Sequence, residues 1–133
     1  MSCPACGGDA DVVFTVPSAL RSHAPGSGET AAICSSCLRT HAPTTERSVS
    51  AEPPFASIHP AFPTGEAGAA LALALGLLDS LALRRADIDD CCSHAERAGA
   101  DVLLTLDRLA TAEGVDPHFD ADRRRVQVAE MLA

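Results

Sequence analysis

The chain is 133 residues long with a net charge of −8, from 18 acidic residues against 10 basic ones, all ten of them arginine. That length admits one domain, or a small module followed by another of about 80 residues, and excludes several independent cores. The acid excess, the absence of lysine and the low aromatic content (four Phe, no Trp or Tyr) weigh against a protein that grips polyanions. They fit a cytoplasm at molar salt, where the Debye length falls to about 3 Å and acidic self-repulsion is tolerated.

Residues 1–43 are expected to form a β module. "DVVFTVP", from Asp11 to Pro17, is rich in β-branched residues and ends at a proline, the signature of a strand. "TAAIC", from Thr30 to Cys34, is its returning partner, with "SHAPGSGE" between them as a flexible turn. Residues 44–63 carry several prolines and no clear period, so they are expected as a linker, with one further short strand around Val49.

From residue 64 the pattern turns helical, and residues 64–133 are expected to form a bundle of about four short helices, giving an α+β chain. Thr64 is the expected N-cap of the first helix, with Glu66 in its first turn and Leu71, Leu75, Leu78 and Leu81 at helical spacing. A second helix is expected from near Asp87 to Gly99, burying Ile88, Cys91, Cys92, Ala95 and Ala98. The third spans about Ala100 to Ala112 on Val102, Leu103, Leu106, Leu109 and Ala110. The fourth, capped by Asp120, spans Ala121 to Leu132 with Val126, Ala129 and Leu132 as its apolar stripe. The longest apolar run, Ala67 to Leu78, has 12 residues, short of the roughly 18 to 20 that cross a bilayer. With no basic n-region ahead of an apolar stretch, the expected location is the cytoplasm.

Four of the six cysteines fall in the β module. Cys3 and Cys6 are spaced C-x-x-C, and Cys34 and Cys37 repeat the spacing in "CSSC". Each pair offers two thiolates from one tight knuckle, and a hairpin that joins the knuckles assembles the tetrahedral donor set of a structural zinc ion. Pro4 fixes φ in the first knuckle, and Gly7 permits the left-handed conformation that turns backbone N–H groups toward sulfur. Leu38 stands where the second knuckle lacks that glycine, so a somewhat different shape is expected there, with Leu38 packed beneath it. A thiol redox role for the Cys-Pro-Ala-Cys pair needs a strand before it and a helix after it to lower the thiol pKa. Only Met1 and Ser2 precede Cys3, and no helical pattern follows Cys6.

"CPACG" together with "CSSC" resembles the small CPxCG-type zinc-finger, or zinc-ribbon, proteins of haloarchaea. The ribbon resemblance covers residues 1–43 and implies Cys3, Cys6, Cys34 and Cys37 as the ligands of one structural Zn²⁺. The whole chain, ribbon plus acidic helices with "LDRLA" and "RRRVQ", looks like a haloarchaeal family of unestablished function.

The remaining candidates have structural readings. Cys91, His94 and His118 offer a conceivable second metal set, but Cys91 and Cys92 read as small buried core residues. His41 is an alternative fourth ligand, made unnecessary by four cysteines. The arginines of "DRRRVQ" point in three directions around a helix and read as partners of nearby acids. No catalytic constellation or phosphate-binding glycine loop is present in the sequence, so the expected protein is not an enzyme. It is expected to be a zinc-binding adaptor or regulator that contacts another protein or a second copy of itself, through a first helix too apolar for three short neighbours to cover. The alternatives are a nucleic-acid-binding ribbon using Arg21, Arg39 and Arg47, and a thiol redox protein.

Overall fold

The computed structural model describes residues 3, 5–8, 11–43, 49 and 51–132. Strand β1 (Asp11–Thr15) buries Val12 and Phe14 on one face and pairs antiparallel with β2 (Thr30–Cys34) in the register Asp11↔Cys34 to Thr15↔Thr30. A third strand that the sequence did not suggest, β3 (Thr40–His41), pairs antiparallel with β2 through Ala32↔His41 and Ile33↔Thr40, so the sheet order is β1-β2-β3. Two residues are too few to carry a period-2 signal, and the strand exists because the second knuckle folds the chain back on β2.

The stretch between β1 and β2, expected as a flexible turn, is instead built from 3-10 turns at Ser18–His23 and Pro25–Ser27 that bury Leu20 and Ala24. The imidazole of His23 ties this loop to the helices. Its Nδ1 lies 3.0 Å from Asp87 and its Nε2 3.2 Å from Asp90, while Arg84 Nε meets the other oxygen of Asp87 at 3.1 Å.

The helices are α1 (Gly65–Leu77), α2 (Leu81–Arg97), α3 (Val102–Ala110) and α4 (Ala121–Leu132). The boundary between the first two differs from expectation. Buried Leu78 and Leu81 keep helical spacing, but the chain tightens into a 3-10 turn at Leu78–Ser80 and α2 begins at once, with a second irregularity at Arg84. Counted across that break, Gly65–Arg97 is long and apolar enough to cross a membrane, with a mean hydropathy of 1.6 in its most apolar window; 61% of that window is buried within the protein, as in a core helix. Ala98 is exposed and Ala100 takes its place in the core. Asp101 caps α3 by accepting from Leu104 N–H at 3.0 Å, and Asp120 caps α4 by accepting from Arg123 N–H at 3.2 Å. The face of α4 is also displaced from expectation: Val128 is buried and Val126 is 53% exposed. The reason is that Arg124 lies inward, donating to Gln127 at 2.7 Å and to the Asp79 carbonyl at 3.5 Å, while Arg125 pairs with Asp107 of α3.

Helix α1 is the axis of the molecule. Every residue from Ala67 to Leu75 is buried, because β3 packs on one side and α2 on the other. The approach is close enough that Thr40 Oγ1 donates to the Ala72 carbonyl at 2.7 Å. Of the apolar stretch expected over residues 67–83, the chain's own sheet, α2 and its proline-rich stretch cover Ala67–Leu75, while Leu83 is left exposed. From that stretch Phe55, Ile58 and Phe62 enter the same core as Phe14, Leu71 and Ile88. Ring centroids lie 5.7 Å apart for Phe14–Phe55 and 5.3 Å for Phe55–Phe62. Among the described residues, the sheet, this stretch and the helices share one hydrophobic cluster, and Cys3, Cys34 and Cys37 form a second, small one.

Candidate metal centre

The two C-x-x-C turns fold alike. In the first, Cys3 N–H donates to the Gly8 carbonyl (2.7 Å) and Gly7 N–H to the Cys3 carbonyl (3.0 Å). At the equivalent positions of the second, Cys34 N–H donates to the Arg39 carbonyl (2.9 Å) and Leu38 N–H to the Cys34 carbonyl (3.0 Å). Gly7 has φ 77°, as its role predicts, and Leu38 adopts the same left-handed conformation with φ 64°. The expected difference in shape between the knuckles is thus absent from this dihedral angle. A leucine bears the left-handed backbone, which costs roughly 1–2 kcal/mol, because its side chain is fully buried (0% exposed) in the main core beneath the turn, as expected.

Replacing Leu38 by glycine relieves that strain but removes a core side chain whose deletion costs about 2–5 kcal/mol. The expected outcome in a denaturant melt is a net loss of about 1–3 kcal/mol by that subtraction. Equal or higher stability would show that the backbone strain dominates.

The turns place four sulfurs in one cluster. Cys3 Sγ is 3.8 Å from Cys37 Sγ and Cys6 Sγ is 3.6 Å from Cys34 Sγ, and all four lie within 4.8 Å of one another. Four sulfurs around a zinc ion at about 2.3 Å stand about 3.8 Å apart, whereas a disulfide needs about 2.05 Å. Both of these sulfur contacts join different knuckles, so the two turns meet around one centre. Backbone N–H groups point at the sulfurs: Gly8 to Cys6 and Ser36 to Cys34, each at 3.4 Å, with those of Ala5 and Cys6 on Cys3. Such donors stabilise thiolate. Burial opposes them at Cys3, Cys34 and Cys37. At Cys3 the N–H donors outweigh burial and bring the thiol down to about 7. At Cys37 burial prevails and pushes it up to about 12, and Cys34 is raised for the same reason. Cys6 is exposed, beside a cavity of about 280 Å³ lined also by Gly7, Gly8, Ser36, Cys37 and Asp116, which gives an ion a path in.

Gly8 is a site residue that the sequence reading passed over. A side chain there would meet Ser36 Oγ at 2.9 Å and Cβ at 3.1 Å and touch Cys34 Sγ at 3.4 Å, so glycine lets the first knuckle close on the second without displacing Ser36. The doubled glycine of "CGG" was the available signal.

The other candidates do not join the cluster. Cys91 and Cys92 are 0% and 1% exposed, and burial pushes both thiols up to about 12, as inert core residues. His94 faces Glu66 of α1 at 3.3 Å. His118 donates from Nε2 to the Leu75 carbonyl at 2.9 Å. Among the described residues the four cysteines are the one group of three or more such side chains able to hold a metal. His41 lies in β3 and is outside that group. Arg21 sits exposed in the 3-10 turn against α2 and Arg39 follows the second knuckle, while Pro4 and Arg47 fall outside the described residues.

The chain belongs to a family of unknown function (DUF6276), which it matches over residues 2–132. Comparison with curated proteins and with solved structures gave no match.

Proposed function

We propose, from a family membership that brings no activity with it and from the geometry of the four thiols, that the protein is a non-enzymatic, cytoplasmic zinc-binding adaptor or regulator. Cys3, Cys6, Cys34 and Cys37 would hold one structural Zn²⁺ in a ribbon-like site. The observation that carries this reading is the sulfur spacing, 3.6 and 3.8 Å across the knuckles. Four protein donors fill a tetrahedral ion and leave it no position for water or substrate, so its contribution is to folding rather than chemistry. The lysine-free acidic composition supports a high-salt, haloarchaeal setting. For contact with another protein or a second copy, the supporting feature is Leu83, 88% exposed at the start of α2 and followed by exposed Arg84 and Arg85. Nucleic-acid binding has less support, since Arg21 and Arg39 act against a net charge of −8. A redox role has in its favour the lowered Cys3 thiol beside exposed Cys6.

The test is elemental analysis and thiol counting on the untagged protein purified without added metal. One zinc per chain with all six thiols free on unfolding supports the reading. Absence of metal together with a reducible Cys3–Cys6 disulfide overturns it in favour of redox chemistry.

A pH dependence follows. Below their thiol pKa values Cys34 and Cys37 are protonated in the metal-free fold, and zinc binds the thiolates, so binding expels protons. Apparent affinity should rise with pH, by roughly tenfold or more per unit if at least one proton leaves per zinc. Zinc titrations between about pH 6 and 8 check this; a flat profile would mean that thiolates are not the ligands.

A further inference from the structure

The segment between α3 and α4 joins the cysteine site to the helices. Asp116 N–H donates to the Ser36 carbonyl (2.7 Å) and His118 N–H to the Cys37 carbonyl (2.9 Å), so the backbone of this strap is fastened directly to the second knuckle. The His118 side chain, 1% exposed, reaches the other way: Nε2–H donates to the Leu75 carbonyl in the last turn of α1 at 2.9 Å, and Nδ1 lies 3.6 Å from Asp79 in the turn that joins α1 to α2. Burial holds the ring's pKa below its ordinary value against the opposing pull of Leu75 and Asp79, and the bond to a carbonyl oxygen puts a proton on Nε2. Phe119 packs edge-on against it, with centroids 5.0 Å apart, and Asp120 then caps α4. Arg124 of α4 closes the circuit by donating to the Asp79 carbonyl. A few bonds therefore link a ligand-bearing turn, the α1–α2 junction and the start of α4.

We propose that this strap couples metal occupancy of the cysteine site to the order of the helical half. With the metal bound, the second knuckle is fixed and presents the Ser36 and Cys37 carbonyls to the strap. With the metal removed, the knuckle loosens, the strap loses its anchor, and both α4 and the α1–α2 junction open more often. Helix α4 is the element able to respond, since among its described residues Val128 alone is fully buried. This inference rests on the zinc reading above and adds that the site controls the order of helices distant from it in sequence.

The experiment is hydrogen exchange by mass spectrometry on the full chain, zinc-loaded and after zinc removal by chelator, with metal content measured on both samples. The expected result is that residues 72–82 and 115–132 exchange faster on zinc removal by at least about tenfold, together with the knuckles, while Ile88–Ala95 of α2 changes far less. His118→Leu is the second sample. It removes the Nε2–H donor without orphaning the Leu75 carbonyl, which also accepts from Leu78 N–H. The zinc-linked change at 72–82 should shrink in this variant while that at 34–41 persists. Zinc loss with acceleration confined to residues 3–8 and 34–41 overturns the coupling alone. Uniform acceleration that includes Ile88–Ala95 is global unfolding and also overturns it. A protein that takes up no zinc removes the metal reading and the coupling together.

Discussion

Cys37→Ser is expected to empty the metal site and unfold the sheet end of the molecule. Serine keeps the size of the side chain but not a thiolate donor, and Cys37 is both buried and 3.8 Å from its counterpart Cys3. Structural zinc supplies roughly 10–16 kcal/mol to the folding of small finger peptides, as much as the whole stability of an ordinary domain. Cys91→Ser is the matched control, equally buried but in the helical core. It should cost about 1–3 kcal/mol for an enclosed hydroxyl and leave one zinc per chain. Zinc content and circular dichroism melts on the two variants separate the outcomes. Equal loss of zinc from both would mean that metal retention merely tracks global stability.

The second large effect concerns α1, where the usual helix rule should fail. Exposed Gly→Ala changes inside helices gain about 1 kcal/mol, yet Gly68→Ala and Gly76→Ala are both expected to destabilise. At Gly68 a Cβ would press on the Pro63 carbonyl and come within 2.7 Å of the Phe55 ring. At Gly76 it would stand 2.7 Å from Thr40 Cβ and 2.9 Å from Thr40 Oγ1, the hydroxyl that bonds the Ala72 carbonyl. Contacts to backbone and to a strand side chain cannot rotate away, so net costs of about 2 kcal/mol are expected, larger at Gly68. Denaturant midpoints measure them. A gain at either position would show that α1 and its neighbours pack less closely than described.

Local chemistry made much of the protein legible. The β-branched runs of β1 and β2, the capping residue of α4, the C-x-x-C spacing and the glycine after Cys6 each act within a few residues. Those readings needed no knowledge of the rest of the chain. The turn at Leu78–Ser80 was not legible in the same way: Leu75, Leu78 and Leu81 keep one helical period through it, and burial from two directions hides a break from any pattern of apolar residues. The outward Val126 and inward Arg124 of α4 likewise depend on Asp79, 45 residues earlier.

The sequence by itself determined the α+β order and the identity of the four clustered thiols, because a tight turn needs only its own residues to aim two sulfurs the same way. Tertiary structure decided what covers α1 and how the second knuckle is held. The partners there are a two-residue edge strand at Thr40, a proline-rich stretch carrying Phe55, and the carbonyls of Ser36 and Cys37 facing Asp116 and His118. Such pairings join residues far apart in the chain through close packing and backbone hydrogen bonds, and neither leaves a period in the sequence.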